Sequence, residues 1–237
     1  MPKPLVSVII PAFNEERFIA EAIESALAQT YEPVEVVVVD DGSTDATGQI
    51  AATFPDVELV SQVNRGLSAA RNAGVAAAAG EIIAFNDADD IMLPERLETQ
   101  VDHLLENESV GCVLAEQVIE VEDGAELPFW VSGTDKPLIP VEIHRRHGGH
   151  PNIHTVTMLM RRSLYIEMGG FDPGQDFSGD VDILLRLMES GVEIARVPTP
   201  VVRRRVHANN MTQGSEESRQ ALFRLFKARI DRKRAAG

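Results

Sequence analysis

Val34-Glu-Val-Val-Val-Val-Asp-Asp-Gly-Ser-Thr-Asp45 joins an unbroken apolar run to a cluster of turn-forming residues. Val34–Val39 has no wet face, so it reads as a strand covered on both sides, the mark of a parallel sheet. Asp40–Asp45 is turn and N-cap chemistry, and a helix to about Thr53 is expected to follow. On the amino-terminal side, Leu5–Ile10 reads as the first strand, ended by Pro11. A helix is predicted over Arg17–Gln29, with Phe18, Ile19, Ala22, Ile23, Ala26 and Leu27 on one stripe. On the carboxyl side follow a strand at Val57–Val60, an Ala-rich helix at Leu67–Ala79 closed by Gly80, and a strand at Ile82–Phe85. Strand and helix alternate, which predicts βαβ units and a parallel sheet with helices on both faces. Such sheets bind ligands beyond the carboxyl ends of their strands. Asn14-Glu15, Asp40-Asp41 and Asp87–Asp90 all fall there.

Beyond Pro94, placed at N1 of the next helix, Leu97, Val101, Leu104 and Leu105 form its core stripe. Strands are expected at Val110–Val121 and Thr155–Met160, a helix at Val181–Ser190, and extended chain at Val192–Val197 and Pro200–Val206. Glu122–Pro151, with the single tryptophan Trp130, reads as a long functional or mobile loop. A last helix is predicted over Glu216–Arg232, with Leu222, Phe226 and Ile230 in register.

The chain has 237 residues, enough for one large domain or two small ones and for a sizeable core. Its formal charge of −15 disfavours nucleic acid as the main partner, because phosphate neutralisation needs a broadly basic face. Cys112 is the single cysteine, so no internal disulfide can form and a reducing cytoplasm fits best. No stretch reaches the ~20 apolar residues of a membrane span.

Phe85-Asn-Asp-Ala-Asp-Asp-Ile-Met-Leu-Pro94 carries three carboxylates in four residues at the end of a buried strand. They repel one another unless solvated, hydrogen-bonded or paired with a cation, and hard oxygen ligands suit Mg²⁺ or Mn²⁺. A solvated capping turn is the plainer alternative. Asp41 has the chemistry to accept a hydrogen bond from a base or a sugar, or simply to cap. Arg71 is placed one turn into a helix leading towards the same edge, where it either faces a nucleotide, holds the acidic loops or is an ordinary surface arginine. Asp180 is placed at a helix N-cap, where it either caps or serves as a general base. His207 follows Arg203-Arg204-Arg205, of which alternation lets only part point inward. The histidines between His144 and His154 lie among Gly-Gly and Pro with no cysteine nearby, which favours a ligand-contacting or solvated loop over zinc.

Taken in order, the segments around Pro11–Glu15, Val39–Asp45, Asn64–Gly74, Asp87–Pro94, Gly169–Asp172 and Asp180–Asp182 resemble the family 2 glycosyltransferases of the inverting, metal-dependent kind. The resemblance spans about residues 4–212 and implies the glycosyltransferase A fold, an α/β fold with a Rossmann-like, mostly parallel mixed sheet and helices on both faces. It implies one domain over 1–212, a nucleotide-sugar half at 1–110 and an acceptor half at 111–212, with a basic helix at 213–237. It also implies hexosyl transfer from a nucleotide-diphosphate sugar, UDP-sugar favoured, to an acceptor hydroxyl of a glycan, lipid-linked or small molecule. Pro11, Phe13 and Glu15 match the first nucleotide loop, Asp41 the base-reading carboxylate and Arg71 its basic neighbour. Asp87 matches a ribose contact, Asp89 a direct metal ligand, His207 a second ligand for Mn²⁺ or Mg²⁺, and Asp180 the general base. The family usually has Glu-Asp where this chain has Gly179-Asp180. A catalytically silent nucleotide-sugar-binding protein and a sugar nucleotidyltransferase stand as the rival readings. The basic carboxyl-terminal helix suits packing on the domain, a homodimer contact or, in a membrane-peripheral protein, an anionic lipid surface.

Overall fold

The computed structural model describes residues 2–122, 125, 155–175 and 178–210, and most of 220–231. Trp130 and the histidines 144–154 lie outside the described residues. Among the described residues eight strands form one sheet: β1 (Val6–Ala12), β2 (Val34–Asp40), β3 (Val57–Ser61), β4 (Ile82–Phe85), β5 (Ile91–Met92), β6 (Val110–Val121), β7 (Leu159–Arg161) and β8 (Glu193–Val206). Their order is β3-β2-β1-β4-β7-β6-β8-β5. β1 pairs in parallel with β2 and β4, β2 with β3, and β6 with β8. Only β7 and β5 run against their neighbours. The expected α/β fold with a mostly parallel mixed sheet is what the chain adopts.

Both sheet faces are covered. Val6, Val8, Ile10, Val36, Val38, Ile82 and Ala84 pack on one side with α1 (Ile19–Leu27) and α4 (Arg96–Glu106). Ile9, Val37, Val39, Ile83 and Phe85 pack on the other with α3 (Leu67–Ala77), α5 (Arg162–Glu167) and α6 (Gly179–Glu189). The period of two within each apolar run thus feeds two cores. α2 (Thr47–Ala51) is a short turn of helix after β2. α3 comes very close to the sheet at Gly74, where a Cβ would collide with Ile9 and lie 3.1 Å from Val39 Cγ2.

Several boundaries differ from the sequence expectation. Pro11 lies inside β1, opposite Val39. Ile9 accepts from Asn86 and Ala12 from Asp41, so by alternation Pro11 turns its missing donor to the side that β4 has already left. Gly80 does not cap α3; its N–H donates to Ser7 Oγ at 2.8 Å, and a Cβ there would sit 2.8 Å from the Leu5 carbonyl. α4 begins at Arg96 rather than Pro94, and Leu27 and Leu105 are exposed. Thr155–Thr157 is a 3₁₀ turn ahead of β7. The two extended segments after α6 are one strand, β8, whose register against β6 shifts near Ala115–Gln117. In the terminal helix Ala221 and Leu225 are buried while Ile230 is exposed, one residue out of phase with the expected stripe. Arg229 pairs there with Asp182 and Glu189 of α6, which fixes the helix's rotation.

Candidate active site

The loops after β1, β2, β4, β6 and β8 all open at one edge of the sheet, because these strands run the same way. The first two are latched together. Asn14, at φ 57, takes Thr44 N–H on its Oδ1 at 2.8 Å and donates its own N–H to Ser43 Oγ at 3.0 Å. Glu15 N–H reaches Thr47 Oγ1 at 2.7 Å, and Glu16 N–H reaches Asp45 at 3.1 Å. Asn tolerates the left-handed backbone this geometry needs.

Asp41, 3% exposed, accepts from Gln62 Nε2 at 2.6 Å and from the N–H groups of Arg65 and Gly66 at 2.9 Å each. It therefore holds the turn that begins α3. Pro11 is buried in β1, and Phe13 is 45% exposed at the tip of the loop that follows.

After β4 the chain turns through Asp87, Asp89 and Asp90, which bring one carboxylate oxygen each to within 4.8 Å of one another. Asn86 closes this turn, donating to the carbonyls of Asp87 at 2.9 Å and Asp90 at 3.0 Å. Behind it lies Arg96, 1% exposed, bonded to the Phe85 carbonyl at 2.8 Å and Gln100 Oε1 at 3.1 Å. Burial lowers the Arg96 pKa to about 9.

Asp89 Oδ2 meets His207 Nε2 at 3.1 Å and Asn210 Nδ2 at 2.8 Å. The bond to Asp89 raises the His207 pKa against the opposing effect of burial. The His207 ring lies against Phe18, centroids 4.6 Å apart and tilted by 38°. Asp90 Oδ1 accepts the Arg205 N–H at 2.9 Å, while its Oδ2 is buried and has no hydrogen-bond partner among the described residues. Burial first, then Asp89 and Asp87, push the Asp90 carboxyl well above its usual range. Glu15 is pushed up to about 7 by burial and by Asp89. A crowd of hard oxygen donors with an orphaned buried carboxylate oxygen is what a divalent cation would satisfy. Arg204 faces Asp87 and Asp90, Arg203 pairs with Glu120, and Arg205 pairs with Glu21, so the basic run does split between faces.

Asp180 lies in the first turn of α6, which starts at Gly179 with Ser178 as N-cap, so it is not itself the cap. Its Oδ1 accepts from Arg71 Nη1 at 2.6 Å, and Arg71 Nη2 reaches Asp87 Oδ1 at 3.0 Å. Glu15, Arg71, Asp87, Asp89, Asp180 and His207 thus converge, while Pro11, Phe13 and Asp41 frame the edge.

The family profile described as Glycosyl transferase family 2 matches residues 7–169, from β1 through α5. The chain belongs to that family. An uncharacterized glycosyltransferase of Rickettsia prowazekii is 29% identical over 218 residues, 88% of this chain and 66% of that protein. S. aureus TarS 1–349 in complex with UDP shares the fold at a TM-score of 0.67 and 24% identity, over 93% of this chain and 63% of that one. Mannosyltransferase PcManGT from Pyrobaculum calidifontis, in complex with GDP-Man and Mn²⁺, gives a TM-score of 0.64 and 25% identity, over 88% of this chain and 59% of that one. The chain therefore spans two thirds or less of each of these proteins. The glycosyltransferase A fold and glycosyltransferase membership stand on these comparisons.

Within this glycosyltransferase family 2 chain, Asn210 and the Arg96–Gln100 pair support the candidate site though the sequence reading gave them no role, and Asp90 was read there only as one of three clustered carboxylates. Asn210 sits three residues past His207, and its Oδ1 accepts the His207 N–H at 2.6 Å. Arg96 and Gln100 stand at i and i+4 beside the buried Leu97, Val101 and Leu104. Polar residues on an otherwise apolar stripe were the available signal.

Proposed function

We propose that this chain transfers a sugar from a nucleotide-diphosphate sugar, UDP-sugar favoured, to an acceptor hydroxyl with inversion at the anomeric carbon. The observation that carries the reading is the convergence of Asp87, Asp89, His207 and Asp180 at one sheet edge. Solved relatives in complex with UDP, or with GDP-Man and Mn²⁺, support it.

In this reading Phe13 offers the base an aromatic face, Glu15 shapes the first loop, and Asp41 acts through the turn it holds. Asp87 faces the ribose. Asp89 and His207 hold the cation, with Asn210 fixing the Asp89 carboxylate. A divalent ion bound there supplies positive charge to the leaving diphosphate. Asp180 takes the proton from the acceptor hydroxyl as its oxygen bonds to the anomeric carbon. The bond from that carbon to the diphosphate oxygen breaks, and its electron pair leaves with the diphosphate. In the same reading residues 1–110 form the donor half and 111–212 the acceptor half, with His207 of the second half reaching Asp89 of the first. A cytoplasmic location agrees with the one buried thiol, Cys112. Among the described residues no helix is long and apolar enough to cross a membrane.

The test is a donor screen with purified protein and Mn²⁺, reading melting shift and nucleotide release. A UDP-sugar that stabilises the protein and is turned over supports the reading. Pyrophosphate release from a nucleoside triphosphate would replace it with nucleotidyl transfer.

A further inference from the structure

We propose that Arg71 is a positioning residue that holds the base Asp180 in place from behind and ties it to the donor-side carboxylate Asp87, without touching the nucleotide. The inference rests on the reading of Asp180 as the base.

The Arg71 guanidinium is 2% exposed, whereas the side chains of Asp87 and Asp180 are 26% and 33% exposed. The acids therefore stand between the cation and the cleft. A ligand entering the cleft meets the carboxylates first and reaches the guanidinium only by displacing them. The two ends of the planar fork are spent on two different carboxylates, Nη1 at 2.6 Å from Asp180 and Nη2 at 3.0 Å from Asp87. The third nitrogen, Nε, is buried with no hydrogen-bond partner among the described residues. One face of the guanidinium lies 5.0 Å from the Phe171 ring centroid, which blocks approach from that direction.

The bridge also spans the molecule's construction. Arg71 comes from α3, Asp87 from the turn after β4, and Asp180 from α6. A rigid fork between them fixes the distance from the donor's ribose contact to the base. Lysine, a point charge on a flexible stem, cannot hold two carboxylates at once in this way. α3 and α6 are close enough for the bridge because the α6 start is small: a Cβ on Gly179 would lie 3.0 Å from Ser68 Oγ, one turn before Arg71.

The experiment compares Arg71→Lys, Asp180→Asn and the double variant in steady-state transfer, with nucleoside diphosphate affinity in Mn²⁺ measured by calorimetry. Arg71→Lys is expected to lower kcat by roughly 10–100-fold while donor KM and diphosphate affinity stay within about threefold, and to cost nothing further once Asp180 is Asn. A loss of affinity matching the loss of kcat would make Arg71 a donor contact and overturn the proposal. So would an undiminished cost of Arg71→Lys in the Asp180→Asn background. If Asp180→Asn alone keeps full activity, the base assignment is what fails, and the positioning role falls with it. A crystal structure of Arg71→Met gives a readout apart from turnover: the Asp180 carboxylate should leave its wild-type rotamer, and an unmoved carboxylate counts against the bridge.

Discussion

Asp180 and Asp89 are asked to do separable things, and single substitutions should separate them. Asp180→Asn keeps the size and polarity of the side chain but removes the proton acceptor, so transfer should fall by ~10²–10⁴ with diphosphate affinity unchanged. Asp89→Ala removes the carboxylate shared by His207 and Asn210, so nucleotide affinity should lose its dependence on Mn²⁺. Glu15 adds a pH effect. Its folded pKa of about 7 is above the ordinary 4.5. In metal-free protein its contribution is present below pH 4.5 and lost as pH rises through 7. Glu15→Gln should therefore raise the metal-free melting midpoint at pH 8 and leave it nearly unchanged at pH 5. These roles were only partly legible in the residues. Three clustered acids at a strand end announce a charged edge, but nothing local says that Arg71 lies buried beneath one of them, Asp87, and beneath the distant Asp180. Ion pairs across 16 and 109 residues of chain are set by packing, not by spacing.

Among the elements, α3 shows what packing adds to pattern. Its Ala-rich run was readable as a helix, yet its depth in the structure depends on Gly74, pressed against Ile9 and Val39. Gly74→Val should destabilise the fold by about 1–3 kcal/mol through overpacking, measured by denaturant unfolding, and should weaken activity by shifting Arg71. β1, β2 and β4 were legible because each is apolar on both faces. Boundaries were less so. Pro11 remains within β1 because β4 has stopped beside it, which only the partner strand reveals. β8 spans Pro198 and Pro200 as one strand because its pairing with β6 shifts register there.

Over the whole molecule, the terminal helix tests how far the body extends. Leu225 is 2% exposed, and Arg229 pairs with Asp182 at 3.4 Å. Leu225→Ala should cost roughly 2–5 kcal/mol. At ~2–4 °C per kcal/mol for a chain this size, thermal scanning would register it, with donor affinity unaffected. The alternation of elements gave away the general architecture, since few topologies join βαβ units of this length. The order of the last four strands was hidden, because β5 and β8 meet across more than a hundred residues. That meeting sets a timetable for the nascent chain. Among the described residues β5 pairs with β8 alone, and Asp89 finds His207 and Asn210 where β8 ends. While the ribosome is still making residues 190–210, the acidic turn has been built but lacks its lid of partners. The acidic edge thus gains these partners only after β8 has been made, and chains released before residue 207 should carry the acids without His207 and Asn210 to order them.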